Sequence, residues 1–212
     1  MDQENIIESV KNIYNEIGKE FSATRQYIWP DLKPFLEQIE PGSSILDIGC
    51  GNGRLLMGLT ENINYTGLDI SEELLKKAKE AHPEHRFIKA DITKVAAWKG
   101  LSQYDYVYSI GVFHHLPTKK DQTFVLNQIE KHLKPKGKVL ITVWNLWQPK
   151  YRKFHLDLKT KIQNIHHVYI PFQGKPRFCF AFTKPYLKRL INPYKNKLEL
   201  KKTKHNYLIF TP

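Results

Sequence analysis

The chain has little cysteine and no long apolar run. Cys50 and Cys179 are the two cysteines among 212 residues. They are too few for a disulfide framework and fit a reducing compartment. No segment approaches the ~20 consecutive apolar residues that cross a bilayer. The opening Met1-Asp2-Gln3-Glu4-Asn5 is polar and acidic, unlike a secretory leader. These absences predict a cytoplasmic protein without membrane contact. Internal repeats, low-complexity tracts and linker-like stretches are also missing. The length predicts one domain, 1–212, with a sizeable core.

Acidic residues are scarce in one region only. Residues 1–150 hold 19 Lys+Arg and 19 Asp+Glu, a balance. Residues 151–212 hold 14 Lys+Arg against 2 acids, Asp157 and Glu199, and so carry the whole net charge of +12. The segment 150–204, from Lys150 to Lys204, is therefore expected to face a polyanion, nucleic acid first. A solvated lysine-rich surface is the plainer alternative. Tyrosine, phenylalanine, leucine and isoleucine are interleaved throughout, so this is no disordered arm.

What is present is concentrated in one unit. Ser44-Ile45-Leu46-Asp47-Ile48 is a short apolar run ending in Gly49-Cys50-Gly51-Asn52-Gly53. An amphipathic stretch follows, then a second apolar run ending in Gly67-Leu68-Asp69-Ile70. Strand, tight glycine loop, helix and acid-tipped strand place a nucleoside at the carboxyl ends of parallel strands. The Gly-x-Gly-x-Gly spacing is not the dinucleotide one. Asp47, just before the first glycine, would repel a pyrophosphate but suits an ammonium. S-adenosylmethionine has an ammonium, a sulfonium and a ribose, and no phosphate.

The expected cofactor set follows from position. Gly49, Gly51 and Gly53 let the backbone approach the ligand. Asp47 takes the methionine ammonium, and Asp69, followed by Ile70, the ribose hydroxyls. Asp91 accepts from the adenine amino group while Ile92 packs on the ring. Ser109 and Gly111 end the fourth strand, where the reactive methyl points. Tyr14 and Trp29 either form a lid over the cofactor or pack in the core. Singly, each strand-end Asp could merely cap a helix; in this order they agree with one another.

Strands are predicted at 44–48, 64–68, 86–90, 104–110 and 138–143, and helices at 4–19, 31–39, 53–60, 71–82, 121–133 and 183–191. Segments 196–203 and 206–211 would form a closing antiparallel hairpin. The fold class is therefore α/β: a Rossmann-like, seven-stranded, mostly parallel sheet with helices on both faces and an N-terminal helical lid, 1–40. Residues 145–182 read as an irregular, aromatic and basic substrate-side insertion. His114-His115 tempts a metal reading. Adjacent histidines normally point apart, and no Cys/Asp/Glu cluster accompanies them in sequence, so no metal is expected. One of them would line the pocket.

Three further stretches sharpen this. Phe21-Ser22-Ala23-Thr24-Arg25-Gln26-Tyr27-Ile28-Trp29-Pro30, the glycine loop, and Ser109-Ile110-Gly111-Val112-Phe113-His114-His115-Leu116 together resemble the tRNA wobble-uridine carboxyl methyltransferases. Val143-Trp144, Arg177 to Phe182 and Asn206-Tyr207 are similar to that family's later blocks. The resemblance implies S-adenosylmethionine-dependent esterification of 5-carboxymethyluridine in tRNA and, for eukaryotic members, a small zinc-binding activator subunit. Phe180-Ala181 departs from the family's His-Val, which puts the substrate in question rather than the chemistry.

A carboxylate is already a nucleophile at neutral pH, so the reaction needs alignment and water exclusion rather than a base. Arg25 and Arg177 are the candidates to hold the carboxylate, with His114 beside them. Two rival readings stand: a methyltransferase for small carboxylates or phenolates, and a non-catalytic RNA-binding protein on the same scaffold.

Overall fold

The computed structural model describes residues 3–24, 27–60, 62–156 and 164–212. Among them is a seven-stranded sheet built from β1 (Ser44–Ile48), β2 (Asn64–Asp69), β3 (Arg86–Lys89), β4 (Tyr104–Ile110), β5 (Leu133–Trp144), β8 (Glu199–Lys202) and β9 (Asn206–Phe210). The order is β3-β2-β1-β4-β5-β9-β8. The first five strands run parallel, and β9 is antiparallel to both β5 and β8. The chain order reverses between β1 and β4, which opens a crevice at their carboxyl ends.

Period-two alternation divides the core between two faces. Leu46, Ile48, Val107, Val139 and Ile141 pack with Val125 and Leu126 of α5 (Lys119–Lys131) and with Leu187 and Leu190 of α6 (Lys184–Ile191). Ile45, Tyr106, Tyr108 and Leu140 pack on the other face with Leu36 of α3 (Lys33–Leu36) and with Leu75 and Ala78 of α4 (Glu72–Ala81). Side-chain caps start three helices: Ser71 accepts from Leu74 N–H, Thr118 from Asp121 N–H, and Thr183 from Tyr186 N–H.

Several expected elements differ in detail. The helix at 53–60 is a single 3-10 segment, Arg54–Gly58. It ends where Leu59 turns extended, and a methyl on Gly58 would sit 2.8 Å from Leu36 and 2.9 Å from Ile28, so no side chain fits there. The helix at 4–19 is two: α1 (Gln3–Glu16) and α2 (Gly18–Ala23), parted where Gly18 passes close to Glu73. The stretch 31–39 is a 3-10 turn, Pro30–Leu32, leading into the short α3. The Lys134-Pro135-Lys136-Gly137 break falls inside β5 as a bulge, where pairing jumps from Tyr104–Leu133 to Tyr106–Lys138.

The region 145–182 is less irregular than its composition implied. It carries an antiparallel hairpin, β6 (His167–Phe172) and β7 (Lys175–Phe180), turned at Gln173 and Gly174, both with positive φ. A third apolar cluster joins the hairpin to the β5 exit through Leu146, Val168, Ile170 and Cys179, with Trp144, Tyr151 and Phe154 against it.

Candidate active site

The sequence explains why β1 ends as it does. Gly49 and Gly51 adopt positive φ, and a methyl on Gly49 would come within 2.1 Å of Val112. Only glycine fits there. Backbone N–H groups of Gly49 and Cys50 both donate to Leu68 O, folding the loop over the end of β2. Asp69 completes the turn, with Oδ2 accepting from Gly51 N–H at 2.8 Å and Oδ1 from Ser71 N–H at 2.8 Å. Burial pushes its carboxyl above the usual range despite these bonds.

This loop borders a cleft of about 780 Å³, part of it open to solvent. Gly49, Gly51, Asp69, Ile70, Asp91, Ile92 and Gly111 line it from the sheet side. Helix α1 covers it with Ile7, Val10 and Tyr14. That helix is fixed by buried Ile6, Val10 and Ile13, by Asn15 Oδ1 accepting from Ser71 Oγ at 2.9 Å, and by a Glu4–Lys94 ion pair. A second cavity of about 440 Å³ shares Phe21, Gly49, Gly51 and Ile110 with the first, and adds Asp47, Asn52 and Arg54.

Asp47 lies in that second cavity, buried, with Oδ2 accepting from Tyr65 O–H at 2.6 Å. Desolvation raises its carboxyl to about 7, and Tyr65 and Arg54 oppose the shift. Asp91 Oδ1 accepts from Thr93 N–H and Oγ1, an Asx-type turn that holds the carboxylate at the cleft wall.

Not every expected residue reaches the cleft. Gly53 faces His82, Ala78 and Phe87. Ser109 is buried under the β4–β5 pairing and lines neither cavity. Trp29 also lies off both linings; it borders Gly111 and carries the Arg54 guanidinium over its ring at 4.7 Å. Of the two histidines, His115 lines the cleft and His114 does not. Arg25 lies outside the described residues. Arg54, which lines the second cavity, was not among the expected site residues; a basic residue directly after the glycine loop was the available signal.

Arg177 is the unusual residue. It stands on β7, 2% exposed, with no carboxylate partner among the described residues. Its guanidinium lies 4.7 Å from the Trp144 ring centroid, 5.2 Å from Phe172 and 5.7 Å from Tyr14. Nη1 donates to Tyr14 Oη at 2.9 Å, while Nε is buried without a partner among the described residues.

The Tyr14 hydroxyl lies 3.0 Å from His115 Nε2, and His115 Nδ1 lies 2.8 Å from Phe178 O. A carbonyl only accepts, so Nδ1 carries the proton and Nε2 accepts from Tyr14. Burial, with Arg177 adding repulsion, lowers His115 to about 3, so this tautomer stays neutral.

The fold also corrects the argument that no cysteine accompanies the histidines. The hairpin brings Cys179 to His114 and His115, their donor atoms within 4.8 Å of one another. Both His115 nitrogens are already engaged, and the Arg177 guanidinium acts on both histidines and on the Cys179 thiol. A buried cation there disfavours a metal ion.

Parallel order with an antiparallel last strand, a glycine loop after β1 and an acid ending β2 define the class I S-adenosylmethionine-dependent methyltransferase fold. Residues 46–139 match the family model described as a methyltransferase domain. The complex titled DhpI-SAM-HEP matches with a TM-score of 0.69 at 19% identity, over 100% of both chains.

The chain is further similar in sequence to the tRNA (carboxymethyluridine(34)-5-O)-methyltransferases. It is 38% identical over 135 residues to that of Arabidopsis thaliana, covering 64% of this chain and 32% of the relative. With the Saccharomyces cerevisiae protein it shares 34% over 146 residues, covering 69% of this chain and 51% of the relative. It thus spans about a third and about half of these curated relatives.

The donor set suits the cofactor. A strand-end carboxylate beside Ile70 and Ile92 fits an adenosine, and Asp47 with Arg54 matches the ammonium and carboxylate of an amino acid. Asp69→Ala is expected to weaken S-adenosylhomocysteine binding by about 10- to 100-fold, as for hydrogen bonds to a charged group. Calorimetry measures this; an unchanged Kd would remove Asp69 from the ribose.

Proposed function

We propose that the chain methylates tRNA, esterifying the carboxylate of a 5-carboxymethyl wobble uridine. The observation that carries this reading is Arg177: a buried guanidinium without a counter-ion among the described residues, bonded through Tyr14 to the wall of the cofactor cleft. The similarity to the carboxymethyluridine methyltransferases supports the same substrate.

When bound, S-adenosylmethionine would supply a methyl on a cationic sulfur; a carboxylate oxygen, which has no proton to lose, would take it and leave the sulfur as a neutral thioether. Asp69, Ile70, Asp91 and Ile92 hold the nucleoside end, and Asp47 and Arg54 the amino-acid end. Arg177 grips the substrate carboxylate, and Tyr14 fixes the direction of Nη1. Helix α1 and the aromatic rings around Arg177 exclude water, which strengthens the ionic contact. No side chain has to accept a proton, consistent with two neutral buried histidines.

The basic segment would supply affinity through phosphates. Lys150, Arg152, Lys153 and Lys175 are exposed near the β5 exit and the hairpin, and no acid stands among the described residues 144–156 and 164–182. Lys201 and Lys202 lie on edge strand β8, where lysines also discourage strand addition.

The test is incubation of the chain with S-adenosylmethionine labelled in its methyl group and tRNA carrying carboxymethyluridine. The label is expected in the tRNA and to be released by mild alkali, as from an ester. Label that survives alkali excludes the ester. Absence of transfer to tRNA, with transfer to small carboxylates, favours the small-molecule reading.

A further inference from the structure

We propose that Trp144 shares the substrate anion with Arg177, donating its indole Nε1–H to the carboxylate. This rests on reading the site as one for carboxylate methylation. Trp144 ends β5, beside β4; Thr142 pairs with Ile110, and Gly111 N–H donates to Thr142 Oγ1 at 2.9 Å. A methyl on Gly111 would stand 3.9 Å from Trp144 Nε1. The N–H edge of the indole therefore borders the strand end that lines the cofactor cleft.

The ring is held in that attitude. His114 stacks on it with centroids 4.5 Å apart and planes 27° from parallel. The Arg177 guanidinium lies 4.7 Å from its centroid. Trp144 is half-buried, and its Nε1 has no hydrogen-bond partner among the described residues. Nε1 is not among the buried unpartnered atoms, so it stays within reach of water or of a ligand.

His114 makes sense in the same arrangement. It is fully buried, with neither ring nitrogen partnered among the described residues. It gives Trp144 a flat, neutral backing, and burial holds its pKa well below the usual imidazole range. A charged imidazolium there would repel Arg177. His114 is thus a positioning residue, and Trp144 the one that touches substrate. One charged donor from β7 and one neutral donor from β5 fix a carboxylate in two directions, whereas Arg177 alone fixes it in one.

Trp144→Phe keeps an aromatic ring for the His114 stack and removes the N–H. It is expected to lower kcat/KM on carboxymethyluridine tRNA by about 10- to 100-fold, the range for a bond to a charged acceptor. The S-adenosylhomocysteine Kd should stay within about twofold of wild type, since that cleft is not lined by Trp144. Unchanged kcat/KM would overturn the proposal.

A second measurement does not require tRNA turnover. Among the indole N–H resonances of the four tryptophans, the one missing in the Trp144→Phe spectrum is followed in protein saturated with S-adenosylhomocysteine. Added 5-carboxymethyluridine should move it downfield, and the methyl ester of the same nucleoside should not. No shift with the acid, or equal shifts with acid and ester, overturns the role. A shift in protein that fails to label tRNA sinks the tRNA reading and leaves Trp144 as a carboxylate ligand.

Discussion

Arg177→Met should lower kcat/KM on carboxymethyluridine tRNA by about 10²–10⁴-fold, the loss of one to two hydrogen bonds between charged groups. Stability should behave in the opposite sense. A guanidinium taken out of water without a carboxylate is costly, and among the described residues Arg177 offsets that cost through three aromatic rings and its bonds to Tyr14 and Cys179. An apolar side chain of similar length removes the burial penalty, so Tm should hold or rise. Tyr14 still donates to His115 in the variant, so helix α1 keeps that tie to the site. Activity assays beside a thermal melt and S-adenosylhomocysteine calorimetry separate the outcomes. Lost activity with intact Tm and intact cofactor Kd marks a substrate ligand. Loss of all three marks a core residue and removes the carboxylate role.

The parts legible in the sequence were those whose cause is local. The β1 loop and the acid-tipped β2 lie within about two dozen residues, and each feature restricts the next: three glycines, a carboxylate, a Ser71 cap. Strand and helix periods likewise survive because burial repeats along one element. The hairpin β6–β7 was hidden because Pro171 and Pro176 stand within its strands and face each other in register. Proline argues against a central strand but is tolerated in a two-stranded ribbon. The proposed carboxylate end of the site was only half legible. Arg177 stood out as a basic residue among aromatics, but its isolation from acids among the described residues depends on β7 packing against α1 and the Phe113–His115 turn. Trp144, Cys179 and the choice of His115 over His114 for the cleft wall are consequences of that same packing, with no spacing to betray them. Ser109 is the converse case: a strand-end position brought it near the site in sequence, while its side chain is buried and lines neither cavity.

Cofactor affinity should depend on pH through Asp47. Desolvation raises this carboxyl to about 7 in the free protein, against an ordinary 3.8. At pH 6 the protonated form predominates, and a neutral carboxyl gives an ammonium little. If only the ionised form binds, Kd for S-adenosylhomocysteine should rise about tenfold for each pH unit below 7, and level off above about 8. Binding below pH 7 should release a proton, measurable as a buffer-dependent heat in calorimetry. The same shift has a consequence for the ligand-free protein, with a definite sign. A folded pKa above the unfolded one means that folding takes up a proton, so this group's stabilisation is complete below about 4. It is lost progressively as pH rises to about 7, and stays constant beyond. Asp47→Asn should therefore bind more weakly than wild type at pH 8, differ less from it at pH 5, and lose most of the pH dependence of Kd. It should also flatten the fall in Tm between pH 4 and 7. Asp69 is also raised by burial and its charge adds to the Asp47 shift, so Asp69→Asn measured beside Asp47→Asn separates the two contributions. A Kd that is equal at pH 5 and pH 8 in the wild type would place the ammonium elsewhere.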